Sequence, residues 1–149
     1  MQKVNAVMSH IDRSYPDMND NYNCIDDLWR PHQKQGDITF CCVDSMAVRN
    51  LMWECCKEKS KVFIDSRMAG ENMQIIAIDC KNAEDVAYYP TTLFTDAEAY
   101  QDACTSKSTY YCALGITSWM IHQMTRWMRG FKMERDMQIP LLAADIIKR

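Results

Sequence analysis

The chain lacks a strong excess of charge of either sign: its 149 residues carry a formal net charge of -3 at pH 7. It also lacks a basic block interleaved with aromatic residues, so we expect no nucleic-acid partner. No stretch is long and apolar enough to cross a bilayer, because the longest helical pattern carries His122, Arg126 and Arg129. Polar residues interrupt the first apolar positions, so the amino terminus does not match a signal peptide and no membrane partner is expected.

The sequence has no C-x-x-C pair among its eight cysteines, and its three histidines lie far apart. A zinc site therefore has little support. The cysteine pairs at 41–42 and 55–56 fall inside a predicted strand and a predicted helix, where cysteine packs as a small apolar residue. A helix-rich chain of this size without a secretion signal does not need a disulfide framework. We therefore expect a cytoplasmic, reducing environment.

The sequence does contain a short apolar run, residues 38–43, with β-branched, aromatic and cysteine side chains on both faces. That pattern is typical of a strand buried on both sides, as in a parallel sheet covered by helices. The apolar fraction of 48% and the charged fraction of 25% are ordinary for one globular domain. The predicted fold is therefore α/β: a Rossmann-like three-layer domain with a mostly parallel sheet.

Asp44 ends this strand, and Ser45 can cap the following helix by accepting a backbone N–H bond. In that helix, apolar residues at helical spacing predict the face that packs on the sheet: Val48, Leu51, Met52 and Cys55. Ligands of open α/β sheets bind outside the carboxyl ends of the strands, which makes Asp44 the first candidate site residue. The alternative is that Asp44 only caps the helix or forms the turn.

Hydrophobic periodicity predicts the remaining elements. They are helices at 3–13 and 108–129, strands at 21–26, 61–65, 73–79 and in the tail 138–147, a turn at 66–70 and a long polar loop at 80–102. Gly130 is expected to end the long helix at its C′ position. An apolar stripe on that helix is predicted to be core or dimer interface rather than a cofactor site; it comprises Ile116, Trp119, Met120, Met124, Trp127 and Met128.

Several short motifs together resemble a known family. They are a helix with Lys3, a turn at Tyr15-Pro16, a strand ending in Asp44, V-R-N at 48–50, I-D-S-R-M at 64–68 and D-A-C-T at 102–105. Their order is similar to that of ThiF/HesA/MoeB-type adenylating domains, the bacterial relatives of ubiquitin-activating enzymes. The similarity covers nearly the whole chain, so residues 1–149 are predicted to form a single ThiF-like domain.

The chain also departs from this family. It contains neither the Gly-rich phosphate loop G-x-G-x-x-G nor the D-x-x-N-x-x-R segment that helps position ATP in these enzymes. The resemblance therefore implies an N-terminally truncated domain, the C-terminal part of the family fold, or one piece of a split enzyme. Without the first βαβ unit, the backbone groups that would hold the phosphates are absent.

The resemblance implies ATP-dependent adenylation of the C-terminal carboxylate of a ubiquitin-like or sulfur-carrier protein. Asp44 would hold Mg²⁺ as a hard oxygen ligand, and Lys3 would contact the ATP phosphates. The alternative for Lys3 is a frayed terminal side chain. The family usually dimerises, which implies a homo-oligomer.

Arg67 and Cys104 complete the candidate site. Arg67 ends a predicted strand near the expected acceptor tail, where it could neutralise a carboxylate or pair with Asp65. Cys104 precedes a helix, whose dipole favours the thiolate, as does nearby Lys107. In part of the family, a cysteine followed by threonine accepts the activated carboxyl as a thioester. The alternative is a half-buried cysteine without a chemical role.

Whether the chain is an enzyme stays open at this point. The missing phosphate loop favours a non-catalytic interaction or dimerisation module derived from that fold, acting through the Trp/Met-rich helix. Lys3, Asp44 and Cys104 favour the adenylating enzyme. A Rossmann-like domain for another nucleotide would need a ribose-binding acid after an early strand, and none is visible.

Overall fold

The structure is a computed structural model, and it describes residues 3–18, 22–95 and 110–149. The chain divides into two compact units, residues 1–33 and 34–149. In the first unit, helix α1 spans Lys3–Ser14 and a 3-10 turn follows at Pro16–Met18, as the helical pattern at 3–13 predicts. None of the α1 residues is buried. The strand predicted at 21–26 is wrong for the described part, since residues 22–26 contain no strand.

The second unit contains the sheet. Its elements are β1 (Ile38–Cys41), α2 (Met46–Cys56), β2 (Val62–Ala69), β3 (Asn72–Asp79), α3 (Ala83–Tyr88), α4 (Tyr110–Met128), β4 (Asp136–Pro140) and β5 (Ile147–Lys148), with 3-10 turns at Tyr89–Thr92 and Leu141–Ala143. Three predicted elements are wrong in their bounds. Strand β2 continues to Ala69, into the predicted turn at 66–70, and the predicted loop at 80–102 contains α3 and a 3-10 turn in its described part. The tail predicted as one strand at 138–147 instead contributes to two strands, β4 and β5, with a 3-10 turn between them.

The strands lie in the order β1-β2-β3-β4-β5. Among the strands of the described residues, β1 and β2 alone pair in parallel, and the other three ladders are antiparallel. The prediction of a mostly parallel, Rossmann-like sheet is therefore wrong. Gly70 and Glu71 alone separate the paired residues Ala69 and Asn72, and a two-residue connection can only join antiparallel strands. Gly70 has φ +57°, a conformation that glycine adopts without strain.

Strand β1 lies at one edge of this sheet, and Phe40 is 39% exposed. Within β1 only Cys41 is buried, whereas Ile38 and Thr39 are half-buried and Phe40 is exposed, so the prediction of a strand buried on both sides is wrong. The apolar run at 38–43 therefore carries no information about the position of the strand in the sheet.

Helix α4 covers one face of the sheet. Its Cys112, Ile116 and Met120 are buried in a core cluster with strand residues such as Ile64 and Ile75. The interpretation of the apolar stripe as core is confirmed for five of its residues: Ile116 and Met120 are buried, and Trp119, Met124 and Trp127 pack against the same cluster. The sixth, Met128, is 66% exposed. Gly130, with φ +74°, follows the end of the helix as predicted.

Helix α2 and the Tyr89–Thr92 turn lie on the opposite face. There Trp53, Phe63 and Tyr89 form an aromatic cluster, with ring centroids 4.6 to 5.3 Å apart. Ser45 caps α2 as predicted, accepting from the backbone N of Val48 at 3.4 Å. The predicted packing face of α2 is confirmed for Met52, which is buried, but Val48 and Cys55 are only half-buried and Leu51 is exposed. The buried residues of this helix are Met46, Arg49, Met52, Trp53 and Cys56.

No helix in the described residues is long and apolar enough to cross a membrane. The seven cysteines in the described residues are all free thiols.

Candidate anion-binding cavity

A cavity of about 640 Å³ opens at one end of the sheet. Its lining comes from the chain after β1, the carboxyl ends of β2 and β4 and the amino end of β3. These strand ends meet there because β1 is parallel to β2 and the next two ladders are antiparallel. The volume falls within the range of about 300–1,000 Å³ typical of small-ligand sites.

Two of the four residues predicted for the site line this cavity together. Asp44 is exposed in a bend between β1 and α2, and Arg67 approaches from near the end of β2. Lys3 belongs to the first unit, at the exposed amino end of α1. Cys104, with its neighbour Lys107, lies outside the described residues.

Behind the cavity wall lies a buried cluster of charges centred on Asp65, which has no exposed surface. Arg49 Nη1 donates to its Oδ1 atom, and Arg67 Nε donates to Oδ2 at 2.8 Å. Tyr89 also donates its hydroxyl to Oδ2, at 3.1 Å. Burial, and then the negative charge of Asp65, raises the pKa of Tyr89 well above its usual value. Two buried cations thus share one buried carboxylate, and the exposed carboxylate of Asp44, in the same cavity lining, balances the second positive charge.

Arg49 is only 5% exposed, although it is charged. Besides its bond to Asp65, its Nη2 atom donates to the carbonyl of Val43. That bond holds the backbone immediately before Asp44, so the guanidinium positions the bend that carries the exposed acid. The Nε atom of Arg49 is buried without a hydrogen-bond partner. An unsatisfied buried donor of this kind costs free energy, and a ligand could satisfy it.

Arg67, 9% exposed, has partners on two sides. In addition to Asp65, it donates from Nη1 to the carbonyl of Thr92 at 2.7 Å and from Nη2 to the Thr92 hydroxyl at 3.0 Å. Its guanidinium lies 5.9 Å from the ring centroid of Phe94 and 6.0 Å from that of Tyr89. The sequence leaves open whether Arg67 pairs with Asp65, and the structure shows that it does. Arg67 also lines the cavity.

The sheet lines this cavity with the face that carries Arg67. Asn72, Gln74 and Gln138 share that face, and Met46 and Phe94 add apolar side chains. A second cavity of about 560 Å³ adjoins the first, and Met46 and Phe94 line both. The cavity therefore combines a charged corner with amide side chains from the strands and a few apolar side chains.

A second buried carboxylate lies further across the same face of the sheet. Asp136, 2% exposed, accepts from Gln74 Nε2 at 3.0 Å and from the Tyr88 hydroxyl at 2.7 Å. Burial raises the pKa of Tyr88, and its bond to Asp136 adds to that effect. The consecutive residues Tyr88 and Tyr89 thus donate to two different buried carboxylates, which fixes the chain between α3 and the cavity.

The described residues contain no group of three or more His, Cys, Asp and Glu side chains that could hold a metal ion. Mg²⁺ does not require such a group, since it is commonly held by one or two carboxylates together with substrate phosphates and water. The exposed carboxylate of Asp44 fits that mode of binding. It would be the protein's one ligand from the described part of this cavity.

Sequence reasoning gave no role to Arg49, although it noted the V-R-N motif. The available signal was its spacing: Arg49 lies three residues from both Met46 and Met52, on the buried face of α2. Asp65 gave a similar signal, because an acid inside an apolar strand requires a buried partner. Tyr89 gave none, since it lies in a stretch that the pattern indicates as loop.

Comparison with protein-family models and with curated proteins finds no match to this chain.

Proposed function

We propose that this chain contributes the carboxylate-binding and magnesium-binding side of an adenylating site. The site would activate the C-terminal carboxylate of a ubiquitin-like or sulfur-carrier protein with ATP and Mg²⁺, in a cytoplasmic setting. The observation that carries the proposal is that Asp44, Arg49 and Arg67 line one cavity at the carboxyl end of the parallel strand pair. Ligands of α/β sheets bind at such strand ends.

In this reaction, a carboxylate oxygen of the substrate protein attacks the α-phosphorus of ATP. The bond between that phosphorus and the bridging oxygen breaks, giving an acyl-adenylate and pyrophosphate. Arg67 and Arg49 would orient the carboxylate through its negative charge, and Asp44 would hold the metal ion. Bound Mg²⁺ supplies neutralisation of phosphate charge. Lys3 as a phosphate contact and Cys104 as a thioester-forming nucleophile belong to the same proposal.

The 149 residues contain no G-x-G-x-x-G sequence, so the backbone amides that hold the phosphates would have to come from another segment or chain. A single carboxylate such as Asp44 would hold Mg-ATP only weakly. We therefore expect this chain by itself to show no ATP–pyrophosphate exchange. Its direct, millimolar binding of Mg-ATP is the property to test.

The test is a titration of ATP, with and without Mg²⁺, followed by NMR on the full chain. We expect Mg²⁺-dependent shifts at Asp44 and its neighbours, and an affinity at least tenfold lower in Asp44→Asn. The matched control is Asp37→Asn, which removes an exposed acid just before the other end of β1. Equal affinities for Mg-ATP in the two variants, or ATP binding that does not depend on Mg²⁺, would refute the proposed role of Asp44.

A specific observation also favours the second candidate, a homo-oligomer formed through α4. Leu114, Ile121 and Met128 recur every seven residues on this helix and are 50% to 66% exposed. These three side chains form one exposed apolar row along α4, which a second copy of the chain could cover. Sedimentation of Ile121→Glu against His122→Glu tests it, because the next residue points about 100° round the helix. The first variant should dissociate the oligomer and the second should not; identical masses would exclude this interface.

A further inference from the structure

The cavity described above has a second part, on the β3–β4 side of Arg67. Gln74 is the register partner of both Arg67 and Gln138, so these three residues form one row across β2, β3 and β4. Asn72 lies two residues before Gln74 and therefore projects from the same face of the sheet. The three amide residues Asn72, Gln74 and Gln138 all line the cavity, and we call them the amide cluster.

The amide cluster presents hydrogen-bonding groups that have no partner among the described residues. Gln74 Nε2 donates to both carboxylate oxygens of the buried Asp136, at 3.0 and 3.2 Å, so this amide is held in one orientation and its Oε1 atom remains to accept. In the described part of the chain, no group bonds to that Oε1 atom or to the side-chain amides of Asn72 and Gln138. A ligand must therefore donate to Gln74, while the other two amides each offer a donor and an acceptor.

The surroundings of the amide cluster are uncharged and partly apolar. Pro140 is the register partner of Asn72, and Ile147 is that of Gln138, so both lie on the same face of the sheet. The charges of the cavity lining lie on the β1 side instead, where two guanidinium groups are balanced by two carboxylates. The amide cluster therefore suits a ligand without net charge that carries C–H groups beside its polar groups.

We propose that the amide cluster binds the hydroxyl groups of an uncharged sugar ring. Each sugar hydroxyl is both a donor and an acceptor, and one carboxamide can bond two neighbouring hydroxyls through its oxygen and nitrogen atoms. Neighbouring strands lie about 4.8 Å apart and alternate residues of one strand about 7 Å apart, so amide side chains from three such positions can reach around one ring. Pro140 and Ile147 would contact the C–H groups of the ring.

This inference goes beyond the adenylating function and uses none of its residues. A nucleobase is a second kind of ligand that amides can bond, but it would need a flat aromatic surface beside the amides on which to stack. The residues that flank the amide cluster on β4 and β5 are a proline and an isoleucine, which suit the C–H groups of a sugar better than the plane of a base.

The test is a titration of the full chain with methyl glycosides, followed in nitrogen–proton NMR correlation spectra through the side-chain amide signals. The probes are the methyl α-glycosides of glucose, galactose and mannose, which differ only in the direction of single hydroxyl groups. We expect at least one of them to bind with a millimolar dissociation constant and to shift the side-chain amide signals of Asn72, Gln74 and Gln138. The same glycoside with every hydroxyl methylated is the control ligand and should shift none of them.

Two variants test the amide cluster directly. Gln138→Met removes one amide at similar side-chain length and should weaken glycoside binding at least tenfold. It breaks no hydrogen bond among the described residues, so the fold should persist, which circular dichroism checks. Asn72→Leu, at an exposed position, should weaken binding at least threefold. The matched control is Asn23→Met, which removes an exposed amide in the first unit and should change nothing.

Four results would overturn this inference. They are amide signals that no glycoside shifts at millimolar concentration, equal shifts with the methylated glycoside, unchanged glycoside affinity in both Gln138→Met and Asn72→Leu, and tighter binding of adenosine or N-acetylglycinamide than of every glycoside. The last result would make a nucleobase or a peptide group the ligand. The adenylating proposal is judged separately, by the titration of Mg-ATP that depends on Asp44.

Discussion

The hydroxyl of Tyr89 and the Nε atom of Arg67 donate to the same oxygen of Asp65, Oδ2, at 3.1 and 2.8 Å. Because Arg49 donates to the other oxygen, both oxygens of this fully buried carboxylate are satisfied. Asp65 therefore joins β2, α2 and the 3-10 turn that begins at Tyr89. The stability of the whole cavity wall depends on its charge.

Replacing Asp65 with asparagine is expected to destabilise the protein strongly. The change keeps the shape but leaves two buried guanidinium groups without a counter-charge, and breaking a buried pair in this way costs about 3–5 kcal/mol. Urea unfolding followed by circular dichroism measures the loss. Asp37→Asn is the matched control, since Asp37 pairs with Lys61 on the surface and should contribute little. A small effect of Asp65→Asn would show that the cluster does not hold the wall together.

Tyr89→Phe is expected to change how stability depends on pH. The pKa of Tyr89 is raised in the folded state by burial and by Asp65, whereas an unfolded tyrosine ionises near its usual value of about 10. A raised pKa contributes stability that is present below pH of about 10 and is lost as the pH rises above it. Above that pH, the free energy of unfolding of wild type should fall more steeply with pH than that of Tyr89→Phe, by up to about 1.4 kcal/mol per pH unit.

Urea unfolding at several pH values between 8 and 11 measures this slope. At neutral pH the same variant should cost about 1–3 kcal/mol, because Asp65 loses a donor. Tyr110→Phe, at a position 79% exposed, serves as the control and should change neither quantity. Parallel pH profiles for wild type and Tyr89→Phe would contradict the assigned environment of Tyr89.

Adjacent cysteines are expected to differ sharply in reactivity. Burial raises the pKa of Cys41 to about 12, while Cys42 is exposed. Since the thiolate is the reactive form, iodoacetamide at pH 8 should modify Cys42 at least a hundredfold faster than Cys41. Mass spectrometry of tryptic peptides gives both rates.

The same experiment tests the predicted nucleophile Cys104. Cys112 is fully buried, so the demanding comparison is with the exposed Cys42. A thiolate stabilised by a helix start and Lys107 should react faster than Cys42 near neutral pH. A rate for Cys104 at or below that of Cys42 would remove the reason for assigning it a thioester.

Two backbone positions predict stability changes of opposite sign. Gly130 and Ala144 both have positive φ, +74° and +52°. The left-handed conformation costs a residue with a Cβ atom about 1–2 kcal/mol relative to glycine. Gly130→Ala should therefore destabilise the protein, and Ala144→Gly should stabilise it, by amounts of that order in thermal unfolding. Changes of the same sign in both variants would contradict this account.

The sequence predicted most element types correctly but not their arrangement. Helix 3–13, the apolar run from 38 and the cap at Ser45 follow from local rules, and local interactions form them in the structure as well. Strand direction depends on the connection between strands. The turn between the two apolar runs predicts that residues 73–79 pair with the preceding strand, and the structure confirms this pair as antiparallel. A turn this short is incompatible with a mostly parallel arrangement of these strands.

The candidate site was predictable only where a residue stands at a strand end. Asp44 and Arg67 follow from that rule, and both line the cavity. Arg49 was missed because charged residues were left out of the apolar face of α2, while the structure buries it through its ion pair with Asp65. The ion pair that offsets the cost of burying Arg49 joins two residues 16 positions apart in the sequence, so no local sequence pattern reveals it.

Each ladder of the sheet joins strands that follow one another along the chain, and α4 comes later in the sequence than the two strands whose face it covers. During synthesis, β2 and β3 can pair as soon as they leave the ribosome, but the helix that shields Ile64 and Ile75 from water is not yet made. A nascent chain halted before Tyr110 would therefore expose this apolar face, which makes it a target for chaperones and for aggregation.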